Sequence, residues 1–337
     1  MQKDIIILAI ESSCDETSAA VIINGKVCSN IVATQAIHER YGGVVPELAS
    51  RAHQKSILVV VEHALNQAKI VKKQLSAVAF TRGPGLLGSL LIGTSFAKGF
   101  ALALDVPLIE VNHMNAHILA HFIDEPSPTF PFLCLTVSGG HTQLVIVKSP
   151  SEMELVGETI DDAVGEAFDK GAKMLGLPYP GGPLIDKNAI NGNPERFQFP
   201  ISEVKGLNFS FSGVKTALLY FLQREQEANP LFISENMSDI CASYQHTLVL
   251  TLLRKLRKAT KQFGIKQVAI AGGVSANKEL RKSLAIMAEK ERWEVFVPDF
   301  QYCTDNAGMI AMAAHFKFLE GDFTDQTVSP MPRYAMN

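Results

Sequence analysis

Cysteine is scarce in this chain and unpaired in pattern. Its 337 residues hold five, Cys14, Cys28, Cys134, Cys241 and Cys303. The number is odd and no two form a CxxC, which argues against a disulfide framework and a cysteine-rich zinc site and fits a reducing compartment. Excess charge is also missing. With 31 basic and 34 acidic residues the formal net charge is −3, so no global field attracts nucleic acid. An RNA partner would have to meet a local basic patch or a helper subunit. No secretory leader is evident, because Met1-Gln2-Lys3-Asp4 is charged and runs straight into a strand. The longest apolar helix candidate, Ser89 to Leu104, is interrupted by Gly93, Lys98 and Gly99 and reads as a buried helix rather than a bilayer span. The expected location is the cytoplasm, with no membrane partner.

What is present is an ordinary globular composition, 47% hydrophobic and 19% charged, in a chain long enough for two domains with separate cores. The stretch with the most chemical content is Val111-Asn112-His113-Met114-Asn115-Ala116-His117. The apolar run Val106 to Val111 predicts a buried strand, Asn112 a helix N-cap, and His113 the first helical residue. One turn apart on that helix, His113 and His117 share a face and can reach one metal ion. Such a pair alone also fits solvated or core histidines. Its position past the C-terminal end of a strand favours a ligand, since open α/β sheets bind ligands there. A zinc protease helix needs HExxH, in which the glutamate is the general base. Met114 holds that position here and cannot take a proton, so the protease reading loses its base.

Three antiparallel strands are expected at the start, Ile5 to Ile10, Ser18 to Ile23 and Lys26 to Ala33, with Asn24-Gly25 as a tight turn. Pro46 to Ala68 predicts an amphipathic helix with Leu58, Val61, Leu65 and Ala68 inward. Leu75 to Thr81 is the next strand. Pro126, Pro128 and Pro131 mark a linker. Beyond it the opening pattern recurs as strands at Phe132 to Val137, Gln143 to Lys148 and Glu152 to Thr159. A helix over Asp162 to Leu175, a rigid loop over Pro178 to Pro183 and an irregular stretch over Gly192 to Phe211 follow. Asp239 to Phe263 predicts a long helix with Ile240, Tyr244, Leu248, Leu252 and Leu256 inward, closed by Gly264. Lys266 to Ala271 is a strand, a helix begins near Lys278, Val295 to Pro298 is a short strand, and Asp305 opens a closing helix.

Three loops carry polar chemistry. Ser138-Gly139-Gly140-His141-Thr142 joins two strands, and its glycines let backbone N–H groups approach an anion, although a plain hairpin turn has the same look. Gly272-Gly273-Val274-Ser275-Ala276-Asn277 lies between strand and helix, where a flat ligand can lie on the backbone. Glu11, Asp15 and Glu16 around Ser12 to Thr17 are dense for a turn between buried strands, so they should face a cation, a positive ligand or water. None of the three matches a Walker motif or GxGxxG. A polar hairpin heading each half, with a glycine loop behind the second, describes a nucleotide clamped between duplicated lobes. Two histidines leave a metal site incomplete, and Asp305, in Cys303-Thr304-Asp305-Asn306-Ala307, supplies a carboxylate. The helix macrodipole alone would also favour an acid there.

Taken together and in order, Ile10 to Thr17, Gly42 to Arg51, Arg82 to Leu86, His113 to His117, Val137 to Thr142, Gly165 to Lys170, Phe209 to Gly213 and Gly272 to Asn277 resemble one family over nearly the whole chain. It is the bacterial tRNA N6-adenosine threonylcarbamoyltransferase family, formerly described as O-sialoglycoprotein endopeptidases. The resemblance implies a duplicated actin-like ATPase fold, the ribonuclease H-like fold of sugar kinases and Hsp70, with two lobes and a ligand cleft between them. The first lobe would comprise 1–128 plus 299–337 and carry the metal; the second, 129–298, would carry nucleotide-binding loops. It implies one iron or zinc ion per subunit at His113, His117 and Asp305. Ligand-binding positions fall on Thr136, Val137, Ser138, Gly139, Gly140, Asp169, Gly182, Asp186 and Asn277. The implied reaction moves the threonylcarbamoyl group of threonylcarbamoyl-AMP to N6 of the adenosine 3′ of the anticodon, in tRNAs reading codons that start with A, with AMP or ATP occupying the cleft. The implied partners are a non-catalytic paralogue of similar fold and a small ATPase.

On that basis the expected chemistry is metal-assisted acyl transfer from a mixed anhydride, with catalytic contributions from His113, His117 and Asp305. Glu11 is the expected proton acceptor or electrostatic partner. The rival enzyme reading is a phosphotransferase or ATPase of the same fold, which would want an aspartate and Mg²⁺. A mere binding module would be expected to lack the metal ligands. Arg254 to Lys261 is the candidate tRNA phosphate patch, with a solvated helix end as the alternative.

Overall fold

The computed structural model describes residues 4–336 and divides into two compact units. The first comprises Met1–Pro128, Lys148–Met153 and Pro298–Asn337; the second comprises Thr129–Val147 and Glu154–Val297.

In the first unit, β1 (Ile6–Glu11) and β2 (Thr17–Ile23) pair antiparallel, and β3 (Lys26–Ala33) pairs antiparallel with β2. Asn24 and Gly25 turn the second hairpin with φ of 48° and 83°, the left-handed pair that a tight two-residue turn needs. The helix α1 (Pro46–Ala68) starts on its proline and ends where Lys69 goes left-handed. Its inward face is Ala49, His53, Ile57, Val60, Val61, Ala64 and Leu65. Leu58, expected inward, is exposed, because a 3.6-residue period running through His53 and Ile57 turns it away. Next come β4 (Ala77–Gly83), α2 (Leu87–Leu104), β5 (Leu108–Asn112) and α3 (His113–Leu119). β4 is parallel to β1 and β5 parallel to β4, giving the order β3-β2-β1-β4-β5.

Among the described helices, α2 alone is long and apolar enough to cross a membrane by length and composition. It is not wholly buried as expected. Ser89, Leu90, Gly93, Thr94, Ala97 and Ala101 are inside, while Leu87, Leu91 and Leu102 are exposed. The small residues make the close-packed seam, and the leucines are left outside it.

The second unit repeats the plan. Its strands are β6 (Phe132–Val137), β7 (Thr142–Ser149) and β8 (Glu152–Glu158), then β9 and β10 further along the chain. The helices between are α4 (Val164–Met174), α5 (Gly181–Asn188), α6 (Ser212–Ala228) and α7 (Phe232–Phe263). β9 (Gln267–Ala271), α8 (Lys278–Glu291) and β10 (Glu294–Phe296) complete it. The sheet order, β10-β9-β6-β7-β8, matches that of the first sheet strand for strand. Ile240, Tyr244, Leu248, Leu252 and Leu256 of α7 are fully buried, as expected, and Tyr244 donates its hydroxyl to the Ala167 carbonyl at 2.8 Å.

Three expectations need correction. The Pro178–Pro183 loop passes into α5 at Gly181, because Pro183 falls in a first turn, where its missing N–H costs nothing. α7 begins two turns before Asp239. α6 was not expected at all: its start is built by the side chain of Asp161. That carboxylate accepts from the hydroxyls of Ser210 and Ser212, both at 2.6 Å, and from the backbone N–H of Phe211 at 2.8 Å. Asp162 holds Lys215 of α6 and Lys170 of α4 at 2.7 and 2.9 Å.

The closing helix α9 (Ala307–Glu320) packs against β1, β2, β3 and α3 of the first unit. It starts two residues after Asp305, and Asn306 is its cap, accepting from Met309 N–H at 3.0 Å.

Burial opposes ionisation of Asp161, but the two serine hydroxyls and two backbone N–H groups outweigh it and hold its carboxyl below the ordinary 3.8. A depressed carboxyl contributes stability above its unfolded value and loses it as pH falls. Asp161→Ala is therefore expected to cost about 1 kcal/mol at pH 7. The gap from wild type should close below about pH 4, as seen by urea unfolding at both pH values.

Candidate metal centre

The metal residues come from four places in the first unit. Glu11 ends β1 and Thr81 lies in β4. His113 and His117 start and continue α3, and Asp305 precedes α9. Asn112 caps α3 as expected, accepting from Met114 and Asn115 N–H at 2.9 and 3.2 Å, which fixes where the helix begins and so aims both imidazoles. Asp305 is pinned from its C-terminal side. Ala307 N–H donates to the Ser18 hydroxyl at 2.8 Å and Gly308 N–H to the Asn30 side-chain Oδ1 at 3.0 Å, tying the start of α9 to β2 and β3.

These anchors bring His113, His117 and Asp305 together with all three ligand atoms within 4.8 Å of one another. His113 Nε2 and His117 Nε2 lie 3.3 and 3.1 Å from Asp305 Oδ1, and the two rings meet edge to face with centroids 4.7 Å apart. Ligands about 2.1 Å from one ion stand about 3.0 Å apart at a right angle and about 3.4 Å apart at a tetrahedral angle. Both imidazole-to-carboxylate separations fall in that range, so Asp305 stands where it can share an iron or zinc ion with either histidine. The donor set also fits, since imidazoles with one carboxylate suit iron or zinc better than Mg²⁺. The Asp305 side chain keeps 23% of its surface exposed, against 1% for His117, so the cluster opens at Asp305. An open side is what a catalytic site needs and a structural one lacks.

Glu11 stands behind His113. It is fully buried, and His113 Nδ1 lies 3.0 Å from its Oε2. The remaining capacity is occupied: Ser13 N–H donates to Oε1 and the Thr81 hydroxyl to Oε2, each at 2.5 Å. A carboxylate on the far nitrogen of a ligating histidine fixes its tautomer and ring plane and raises its basicity. His117 has no such brace; its Nδ1 is buried without a partner among the described residues. Burial alone would push the His113 proton off, but Asp305 and Glu11 on either side hold it on, well above the ordinary imidazole value. Burial also opposes the charge on Glu11 and on Asp305, and the His113 cation keeps both ionised. A cation between these carboxylates is thus what the site demands electrostatically. Nearby Glu16 is pushed up, first by burial and then by the charge of Asp305.

The other predicted residues lie in the second unit. Thr136 and Val137 end β6 and are fully buried, backbone and side chain alike. The Ser138 turn closes through Ser138 N–H to the His141 carbonyl at 2.8 Å, and Gly165 N–H donates to the Ser138 carbonyl at 3.2 Å. A Cβ on Gly165 would sit 2.5 Å from that carbonyl oxygen. Gly272, at φ +88°, likewise has no room, 2.5 Å from the Val137 carbonyl. The two loops are therefore packed backbone to backbone on this turn. Gly139 and Gly140 differ: nothing lies within 4 Å of a Cβ on either, and neither has positive φ. No packing within the described residues requires glycine there.

Asp169 Oδ1 accepts from Gly181 and Gly182 N–H at 2.8 and 3.1 Å, capping α5. α5 carries Asp186, whose carboxylate faces the backbone N–H groups of Lys278 and Glu279 at the start of α8, which favour its charge. Asn277 is the cap of α8, accepting from Leu280 N–H at 2.9 Å. Asp169 and Gly182 thus share a hydrogen bond at the start of α5, and α5 carries Asp186 to the start of the helix that Asn277 caps. Burial raises both aspartates above the ordinary carboxyl value, and these N–H groups offset part of that rise.

The basic stretch at the end of α7 is largely committed internally. Lys255 donates to the Val204 and Gly206 carbonyls, Lys258 to Gly206, and Arg257 and Lys261 pair with Glu291. Sequence reading missed Ser13 and Thr81, the partners of Glu11. Only the polar density of the first turn hinted at them.

The comparisons with known proteins show the family. The family model for tRNA N6-adenosine threonylcarbamoyltransferase matches residues 26–312. A protein of that name from Christiangramia forsetii is 62% identical over 98% of this chain and 98% of its own, and one from Cytophaga hutchinsonii 61% identical over 98% and 96%. Among solved structures, HypF from T. kodakarensis superposes with a TM-score of 0.63 at 16% identity, covering 97% of this chain and 49% of its own. Component A of the Acidaminococcus fermentans (R)-2-hydroxyglutaryl-CoA dehydratase gives 0.57 at 14% identity, over 93% and 98%. At such identities these likenesses speak for the fold alone, which is the expected actin-like ATPase type.

His117→Ala is expected to abolish stoichiometric iron or zinc in the purified protein, measured by mass spectrometry of the metal. Glu11→Gln should retain metal but bind it about 10- to 100-fold more weakly in competition with a chelator.

Proposed function

The chain belongs to the tRNA N6-adenosine threonylcarbamoyltransferase family, and on that premise we propose that it transfers the threonylcarbamoyl group of threonylcarbamoyl-AMP to N6 of the adenosine 3′ of the anticodon in tRNAs reading codons that start with A. The observation that carries this reading is the convergence of His113, His117 and Asp305. A phosphotransferase on this fold would call for Mg²⁺ on oxygen ligands, and two imidazoles speak against it.

In the transfer, N6 attacks the carbamoyl carbon of the mixed anhydride. The N–C bond forms and the C–O bond to phosphate breaks. AMP departs with the electron pair, and N6 sheds one proton to the departing phosphate. His113, His117 and Asp305 would hold one iron or zinc ion, which would supply Lewis acidity toward the donor's phosphate or carbonyl oxygen. Glu11 acts as the electrostatic partner rather than the proton acceptor. Its oxygens already accept from Ser13, Thr81 and His113, so its role is to hold the His113 ring. The Ser138-Gly139-Gly140 turn offers backbone N–H groups to phosphate or carbamoyl oxygens. Asp169 and Asp186 accept ribose hydroxyls with the lone pairs their helix caps leave free, and Asn277 orients the base.

The tRNA substrate assigns the enzyme to the cytoplasm. The non-catalytic paralogue and the small ATPase are proposed as partners from the family resemblance. With the Arg254 to Lys261 side chains largely paired, tRNA binding falls to other groups of the chain or to these partners.

The test is single-turnover transfer of labelled threonylcarbamoyl-AMP to unmodified tRNA, with the paralogue and ATPase present. Wild type should label the tRNA and His113→Ala should not. No labelling by either protein would overturn the proposal. Gly140→Ala should unfold at the wild-type temperature yet lose at least about tenfold in transfer, since its new methyl group meets only a ligand.

A further inference from the structure

One buried polar side chain in the second unit belongs to no expected set. Gln245 lies on α7 at 4% exposure, between the apolar positions Cys241 and Leu248. Its amide touches two residues of the nucleotide set at once. Gln245 Oε1 accepts from Asn277 Nδ2 at 2.7 Å, and the same side chain faces the Asp186 carboxylate closely enough to favour its charge.

We propose that Gln245 is a positioning residue for nucleotide binding, which sets the orientation of the Asn277 amide and holds it against Asp186. This rests on the reading that Asp186 and Asn277 contact the donor's nucleoside.

The argument is one of hydrogen-bond polarity. An ionised carboxylate only accepts, so the Gln245 side facing Asp186 is its NH₂. The Gln245 carbonyl then faces Asn277, and only the Asn277 NH₂ can meet it. The Asn277 oxygen is thereby turned to Leu280 N–H, where it caps α8 at 2.9 Å. Each step leaves the next no choice. Of the two N–H bonds on the Asn277 amide, one goes to Gln245 and the other is left for a ligand acceptor. Lys278 N–H, Glu279 N–H and Gln245 also face the Asp186 carboxylate and favour its charge. Without Gln245 the Asn277 amide would be held by its Leu280 bond alone, and nothing would fix the direction in which its NH₂ group meets a ligand. A polar side chain this deeply buried costs stability unless fully bonded, and here both of its ends are used on ligand residues rather than on the core.

The test uses AMP as the probe, titrated calorimetrically into the full-length protein. Gln245→Met keeps the volume and removes both bonds. It should weaken AMP about tenfold. In transfer assays KM for the donor should rise by a similar factor while kcat stays within about twofold. Gln245→Asn, which stays polar but is a methylene short of spanning both partners, should do the same and guards against misfolding of the methionine variant. In the Asn277→Ala background the Gln245→Met change should cost less than about threefold, because the two act as a unit. A purely structural glutamine would lower the unfolding temperature and leave the AMP affinity of the folded protein alone. That outcome, or full additivity with Asn277→Ala, overturns the inference. If Asp186→Ala and Asn277→Ala themselves leave AMP binding unchanged, the nucleotide-site reading fails instead.

Discussion

The first unit is built around the cost of burying charge. Glu11, fully buried, and Asp305, largely so, flank His113 on either side, and burial opposes the charge on both. His113 lies between them, 3.0 Å from one and 3.3 Å from the other, and supplies a cation as a proton or yields the position to a metal ion. Everything that fixes this contact is local and identifiable. β1 and β4 deliver Glu11 and Thr81, the Asn112 cap sets the phase of α3, and Ser18 and Asn30 hold the start of α9 behind Asp305. The imidazoles follow the carboxyl end of a parallel strand, where such sheets present their ligands.

The second unit uses the same strand order for a different chemistry. Its polar turn follows β6 as the acidic turn follows β1, and its glycine loop follows β9 as Pro84 and Gly85 follow β4. No buried carboxylate pair is needed there. Helix starts do the positioning instead: Asp169 caps α5, α5 carries Asp186 to the start of α8, and Asn277 caps α8. The residues expected to hold a nucleotide are thus the residues that set the angles of two helices, so binding geometry and local fold are one network.

Much of this was legible because the signals were local. The Asn24-Gly25 turn, the Asn112 cap, the Gly264 stop and the five inward residues of α7 each depend on a few neighbouring residues, and the structure bears them out. The start of α6 depends on Asp161, some fifty residues earlier, and no local pattern announces it. Leu58 was misassigned because its helix has apolar residues on more than one face. Pro178 to Pro183 read as loop because its prolines mask a first helical turn. At the site, His113, His117 and Asp305 were found from residue type and spacing. What holds them was hidden, since a serine, a threonine or a buried glutamine carries no period and shows its partner only in three dimensions.

The most direct measurement is diffraction from crystals of the metal-loaded protein at energies on either side of the iron and zinc absorption edges. The account predicts one anomalous peak, within bonding distance of His113 Nε2, His117 Nε2 and an Asp305 carboxylate oxygen, with His113 Nδ1 still on Glu11. A peak that engages other side chains, or a His113 ring turned away from Glu11, would contradict it.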